Sequence, residues 1–352
     1  MNSFEYDDYF LDYNYEEHNN GSNVTTEIND AAVFQHKPTC LKEGLCVSLL
    51  VVSVLIFLLG FCGNALVIWI SGFKMKRTVN TTWYLSLAIS DFVFCAFLPF
   101  NIVQTAMEEW IFGRFMCKFA PSVMFLNMFS SIFLLVIISV DRFVSVLFPV
   151  WAQNHRTNKM ASITVFLAWL LAIGMSIPSA IFRDVGSHLG TTVCHNNYTL
   201  HPHSHKIVAV TRLLAGFIVP FLIIIICYSI IILRLRNTRM TKNAKPFRVM
   251  TALVAAFFIC WLPYHVFILL ELNNAEYDHH VLASGLKIGS SMAAANSFLN
   301  PVLYVFMGND FKRKFKSSVL SKMENAMAEE GRTTSRYLSR SSSMDNRAST
   351  HI

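Results

Sequence analysis

The chain has 352 residues, of which 54% are hydrophobic and only 14% charged, with a formal net charge of +7. A soluble domain carries about 25% charged residues, so this chain has too little polar surface to meet water on all sides, and lipid is the solvent that suits it. Its basic residues sit in short clusters between apolar runs, a pattern that fits a membrane-facing surface and argues against nucleic-acid binding.

The segment from Met1 to Asp30 is acidic and holds no Lys or Arg, unlike the basic start of a cleavable signal peptide. The first apolar helix is therefore expected to act as an uncleaved signal-anchor. Within this arm Tyr6, Tyr9, Tyr13 and Tyr15 lie among Asp7, Asp8, Asp12, Glu16 and Glu17. Such a composition predicts a disordered arm over 1–43; it reads either as an anionic lure for a basic protein ligand, which tyrosine sulfation would sharpen, or as a solubilising arm.

Charges then mark seven apolar runs: Glu43 to Lys74, Arg77 to Glu108, Lys118 to Asp141, Lys159 to Arg183, Arg212 to Arg234, Arg248 to Glu271, and Lys287 to Asp310. Each reaches the roughly 20 residues that a helix needs to cross about 30 Å of hydrocarbon. The runs are continuous rather than alternating, which excludes a β-barrel. The expected fold is an all-α membrane protein, a seven-transmembrane helix bundle over 44–309.

Basic clusters follow the first, third, fifth and seventh runs, as in Lys74, Lys76 and Arg77 or Lys312, Arg313, Lys314 and Lys316. All fall on one side if the spans alternate, and the positive-inside rule makes that side cytoplasmic. The N-terminus is then extracellular and the C-terminus cytoplasmic, in a multi-pass plasma-membrane protein. The sequons at Asn20, Asn23 and Asn197 fall on the expected outside and are candidate glycosylation sites; the one at Asn80 falls inside and should stay unmodified.

Of eight cysteines, Cys62, Cys95, Cys227 and Cys260 lie inside spans as packing residues. Cys117, at the outer start of span three, and Cys194, in the loop between spans four and five, both face an oxidising compartment and are expected to pair. Cys40 and Cys46 either pair with each other or stay free.

Asp91 lies in mid-membrane, where an ionised carboxylate costs on the order of 3 kcal/mol. Asn127 and Ser131 occupy one face of span three, and Asn296 and Asn300 one face of span seven. Together these five could hold a sodium ion; a neutral helix-packing network is the alternative. Pro220, Pro263 and Pro301 interrupt spans five to seven, as suits a bundle that changes shape. Asp141-Arg142 lies at the inner end of span three, where such a pair could equally be a snorkelling anchor.

These residues resemble those of rhodopsin-like G-protein-coupled receptors over all seven spans. The matching pieces are Gly63-Asn64, Leu87-Ala88-Ile89-Ser90-Asp91, Asp141-Arg142-Phe143, Trp169, Cys260-Trp261-Leu262-Pro263-Tyr264 and Asn300-Pro301-Val302-Leu303-Tyr304. The resemblance implies that Asp141 and Arg142 serve G-protein coupling and that Trp261 senses ligand. It also implies that Asn300 and Tyr304 rearrange on activation, that Ile132, Pro220 and Phe257 connect pocket to cytoplasmic face, and that Tyr228 is the family's inner span-five tyrosine. Phe143 departs from the family's usual tyrosine.

The run from Asp141 to Arg156 is similar to the formyl-peptide, anaphylatoxin and chemerin receptor group. Lys245-Pro-Phe-Arg, Leu269-Leu-Glu-Leu and Ser341-Ser-Ser-Met-Asp-Asn-Arg point to its chemerin-receptor branch. Met124 stands where amine receptors carry an aspartate, which argues against an amine ligand.

The expected function is a chemotactic, inflammatory-type receptor for a peptide or protein agonist, coupled by resemblance to an inhibitory-class G protein. An agonist carboxylate is expected to meet Arg212, at the outer end of span five, with Phe125 and His265 forming an apolar mouth. Arg183 is a second contact, Glu271 takes an amide or cation, and Met124 and Tyr264 complete the ligand set. A formyl-peptide or anaphylatoxin-type receptor, or an arrestin-coupled scavenger without G-protein signalling, is the alternative. A transporter is disfavoured, since neither repeated halves nor several ionisable midplane residues stand out. No enzyme motif or cofactor beyond the sodium ion is expected. After span seven, 310–320 reads as an amphipathic cytoplasmic helix on anionic lipid. The tail 321–352 is a Ser/Thr-rich substrate for receptor kinases and a docking site for arrestin.

Overall fold

The computed structural model describes residues 44–188, 190–199, 202–237, 245–273, 277–307 and 313. The acidic arm 1–43 with Asn20, Asn23 and Cys40, the helix expected over 310–320 apart from Arg313, and the tail 321–352 lie outside the described residues.

In chain order the elements are α1 (Gly44–Trp69) with a π-helical turn at Ile70–Lys74, α2 (Val79–Met107), α3 (Gly113–Leu147), the short α4 (Pro149–His155) and α5 (Asn158–Ile181). A hairpin of β1 (Arg183–His188) and β2 (Thr191–Asn196) follows. Then come α6 (Pro202–Leu213), a second π-helical turn at Leu214–Ile218, α7 (Val219–Asn237), α8 (Lys245–Glu271) and α9 (His279–Met307). α6, its π turn and α7 make one continuous fifth span.

Six long helices are apolar enough to cross a membrane by length and composition. α9 is the seventh; its hydropathy is lowered by Asn296, Ser297 and Asn300, which are buried against neighbouring helices rather than turned to lipid. Helices are forced here because hydrocarbon offers backbone groups no partner outside the segment. Hydroxyls obey the same rule: Ser139 donates to the Leu135 carbonyl at 2.8 Å and Ser176 to that of Ala172 at 2.7 Å. Pro99, Pro121, Pro178, Pro263 and Pro301 lie inside helices.

α3 is the axis of the bundle. In the most apolar window of its span 67% of residues are buried, against 17% for the first span. Its core partners include Trp83, Leu87, Phe257 and Trp261. The outward faces of α1, α5 and α7 present Leu55, Leu58, Phe166, Leu170, Leu222 and Ile226 to the lipid side. α8 and α9 touch backbone to backbone, since a Cβ added at Gly289 would come within 2.9 Å of the Tyr264 N and Cα atoms.

The antiparallel hairpin pairs Val185 with Cys194. The expected disulfide is present: Cys194 is bonded to Cys117 of α3, which fixes the hairpin over one end of the bundle. The Trp110 amide also donates to the Thr192 carbonyl at 2.7 Å. Cys46 is disulfide-bonded, which removes the free alternative for it. Cys62, Cys95, Cys227 and Cys260 are free.

The charge-bounded runs understate the helices. α3 extends past Asp141-Arg142 to Leu147, and the fifth span begins at Pro202, not Arg212. Arg212 is therefore not at the end of its helix but ten residues in, about 15 Å along the axis at 1.5 Å per residue.

Candidate functional site

Beneath the hairpin lies a cavity of ≈ 50 Å³ lined by Phe125, Arg183, Asn196, Tyr198, His205, Ala209, Arg212, Tyr264, Ile268 and Glu271. Four separate segments supply its polar groups. β1 brings Arg183, whose Nη1 donates to the Cys194 carbonyl at 3.1 Å, so the disulfide-tied strand also holds the guanidinium. α6 brings Arg212, whose Nη2 donates to Ser179 Oγ of α5 at 2.7 Å and whose guanidinium lies 3.6 Å above the Phe125 ring. The Nε of Arg212 is buried without a hydrogen-bond partner. α8 brings Glu271, whose carboxylate stands 3.9 Å from His205 Nε2. Tyr198 stacks on the His205 ring at 4.9 Å and leans on Phe182 at 4.9 Å.

Burial lowers Arg183 from the usual guanidinium range, and nearby Arg212 adds to that effect. Burial also raises the Tyr198 hydroxyl. Two cations thus share one dry space with a single carboxylate.

Below the cavity, Trp261 packs edge-on to Tyr264 at 5.7 Å and stacks on Phe257 at 6.0 Å. Ile132 and Phe257 are fully buried, and Pro220 sits just after the second π turn. At mid-bundle Asp91 accepts from Asn127 Nδ2 at 2.8 Å and from Asn300 Nδ2 at 2.7 Å. One turn along α3 and α9, Ser131 Oγ and Asn296 Oδ1 are buried with no hydrogen-bond partner. A carboxylate with two unsatisfied oxygens nearby is a donor set that fits a small hard cation.

At the end opposite the hairpin, Asp141 is gripped by Arg156, Nε to Oδ1 at 2.7 Å and Nη2 to Oδ2 at 2.9 Å. The Nε of Arg142 lies 3.9 Å from Asp141 Oδ2, and its Nη2 donates to Asn80 Oδ1. The same Asn80 oxygen accepts from Arg156 Nη2 at 2.6 Å. Tyr304 is buried and leans on Tyr84 at 4.9 Å, while Tyr228 is partly buried against the same core.

Seven membrane helices carry a disulfide-tied hairpin over a polar cavity at one end and an Asp-Arg cluster at the other. The pattern of seven-transmembrane receptors of the rhodopsin family matches residues 63–304, well over half of the chain. The chain belongs to the rhodopsin family of seven-transmembrane receptors. It is a multi-pass membrane protein of a receptor family, not an enzyme.

The receptor is 41% identical to chemerin-like receptor 1 of Mus musculus over 356 residues, covering 95% of this chain and 94% of the relative. It is 42% identical over 291 residues to the C3a anaphylatoxin chemotactic receptor of Danio rerio, covering 82% and 79%. It is 38% identical over 334 residues to formyl peptide receptor 2 of Mus musculus, covering 89% and 94%. These relatives place it among the chemoattractant receptors.

Of the seven residues expected to meet ligand, Arg183, Arg212, Glu271, Phe125 and Tyr264 line the one cavity. Two do not. Met124 is packed between helices against two core clusters, and His265 is buried against Phe217, Tyr264 and Trp261 beneath the cavity. Sequence reasoning missed Tyr198, His205 and Ser179. It also missed Asn80, which was singled out only as a sequon. The exposed side chain of Asn197 accepts from Thr199 Oγ1 at 2.6 Å, beside the cavity residues Asn196 and Tyr198.

Proposed function

We propose that this receptor takes the C-terminal carboxylate of a peptide or protein chemoattractant, chemerin-like in kind, between Arg212 and Arg183, and activates an inhibitory-class G protein through Arg142. The observation that carries the reading is the excess of two partly buried guanidiniums over one carboxylate in the cavity, with Arg212 Nε unpaired. A carboxylate meets a guanidinium fork in two parallel hydrogen bonds, stronger in a dry site than in water. Glu271 and His205 line the same cavity 3.9 Å apart and suit a ligand amide or cation.

In this reading the hairpin end faces outside the cell and the Asp141-Arg142 end faces the cytoplasm, in the plasma membrane. That orientation is supported by the basic clusters, by the disulfide and by the exposed sequon at Asn197. The arm 1–43 attracts the basic body of the ligand, and 310–320 lies on anionic lipid. The tail 321–352 recruits kinases and arrestin. Asp91, Asn127, Ser131, Asn296 and Asn300 would hold a sodium ion that favours the resting shape.

The test compares a chemerin C-terminal peptide as free acid and as C-terminal amide. Amidation should weaken binding to the wild type by about 1.5–3 kcal/mol, the range for hydrogen bonds to a charged group, and weaken binding to Arg212→Ala much less. Equal losses in both receptors would move the carboxylate away from Arg212, with Arg183 the next residue to test. Agonist-stimulated nucleotide exchange in purified membranes checks the signalling half.

A further inference from the structure

We propose that Asn80 is a positioning residue that restrains Arg142, and with it the basal activity of the receptor. This rests on the reading of Arg142 as the G-protein contact. Asn80 sits in the first turn of α2, and that turn is held in place by a reciprocal cap. Thr78 Oγ1 accepts from the Thr81 amide at 3.2 Å, and Thr81 Oγ1 accepts from the Thr78 amide at 2.7 Å. The backbone that carries Asn80 is therefore held in place.

The Asn80 amide oxygen accepts from Arg142 of α3 and from Arg156, just past α4. An amide oxygen offers two lone pairs, and both are used. One neutral atom thus joins its own segment to two others that lie 62 and 76 residues away in sequence. Asp141 does not share this duty equally. Its two oxygens are taken at 2.7 and 2.9 Å by Arg156, and Arg142 stands 3.9 Å away. The Nε of Arg142 has no hydrogen-bond acceptor. Arg142 is 13% exposed, so a partner at this face reaches it only after it leaves Asn80.

The acceptor is uncharged, and that sets its grip. The local charge sum of Asp141, Arg142 and Arg156 is positive, so a carboxylate at 80 would hold the two guanidiniums harder, and an apolar side chain would not hold them at all. Opposite substitutions must then move basal signalling in opposite directions, which a merely structural role for Asn80 does not require.

The experiment uses the full-length receptor in lipid nanodiscs with a purified inhibitory-class heterotrimer and no agonist. Asn80→Ala, and Asn80→Ser as a milder variant, should raise basal nucleotide exchange toward tenfold, a shift of about 1.4 kcal/mol. Asn80→Asp should lower it below wild type, and Asn80→Gln, which keeps the amide, should stay nearer wild type than Asn80→Ala. Hydrogen–deuterium exchange over residues 142–156, measured without G protein, should be faster in Asn80→Ala and slower in Asn80→Asp. If those amides respond as stated while no form of the receptor drives nucleotide exchange, the signalling role of Arg142 fails and the restraint stands. If the wild type drives exchange and the Asn80 variants match it, or Ala and Asp shift it the same way, the restraint is overturned.

Discussion

At the hairpin end Arg183 and Arg212 face one carboxylate, Glu271, across a cavity. At the opposite end Arg142 and Arg156 face one carboxylate, Asp141, which Arg156 holds at 2.7 Å while Arg142 stands 3.9 Å away. The formal charges are the same, two cations to one anion, yet the third partner differs. At the Asp141 end an amide oxygen, that of Asn80, accepts from both arginines in the place of the missing anion. At the hairpin end Arg212 has a serine hydroxyl, an aromatic face and an unpaired Nε. Each end leaves one arginine Nε without an acceptor, that of Arg142 and that of Arg212; the difference is that the Arg142 cluster is closed by side-chain contacts, whereas Arg212 borders a cavity that an anion from outside can enter.

The comparison breaks most sharply at Arg142. Arg142→Ala should reduce agonist-stimulated nucleotide exchange on the order of a hundredfold, equivalent to about 2.7 kcal/mol, and leave binding at the hairpin end detectable. Full exchange in that variant would remove the assignment of the closed end to G-protein contact.

Communication between the ends is tested at mid-bundle. If sodium binds the resting shape better, linkage requires that it weaken agonist binding. Replacing potassium by sodium at constant ionic strength should then lower the affinity of the same chemerin peptide for the wild type by about fivefold or more, the range of ordinary allosteric coupling. Asp91→Asn should show no difference between the two salts. An equal sodium effect in both proteins would separate the ion from Asp91.

The smallest effect is expected on the hairpin rim. Asp184 pairs with Arg114 at 2.8 Å, but Arg114 is 70% exposed. The Val185 amide first, and Arg114 with it, hold the Asp184 carboxyl below its ordinary value. A lowered carboxyl stabilises the fold above its unfolded pKa, and the contribution is lost as pH falls through the lowered value. Screening limits such a pair, so Asp184→Asn should cost about 0.5 kcal/mol or less at pH 7, read as a small shift in thermal midpoint. A much larger loss would mean that this ion pair, rather than the Cys117–Cys194 bond, carries the hairpin.

Much of this arrangement was legible in the residues. Charges bracketed the seven spans because a charge in hydrocarbon is costly, and the compartment argument paired Cys117 with Cys194. The helix ends were not legible: an apolar run measures the hydrocarbon, while helices such as α3 and α6 continue through polar residues at the interface. Arg183, Arg212 and Glu271 could be named because each is a charge that bounds an apolar run on the expected outer side. Tyr198, His205 and Ser179 could not, since each becomes part of the cavity wall only through packing between distant segments. Asn80 stood out only as a sequon expected to stay unmodified, and its contacts with Arg142 and Arg156 have no periodicity that a sequence pattern could register.

The π turn at Leu214–Ile218 separates the two halves of the fifth span. A single extra residue wound into a helix advances its angular phase by about 100°. The direction in which Arg212 points is therefore decoupled from the lipid-facing stripe of α7 below it, much as a universal joint lets two shafts keep different headings. Removing one residue from this turn would leave every downstream contact of Pro220 and Ile224 intact, yet it would swing Arg212 away from Phe125 and Ser179. The fifth span would still be long enough to cross the bilayer, but the anion-seeking group would point to the wrong quarter of the bundle.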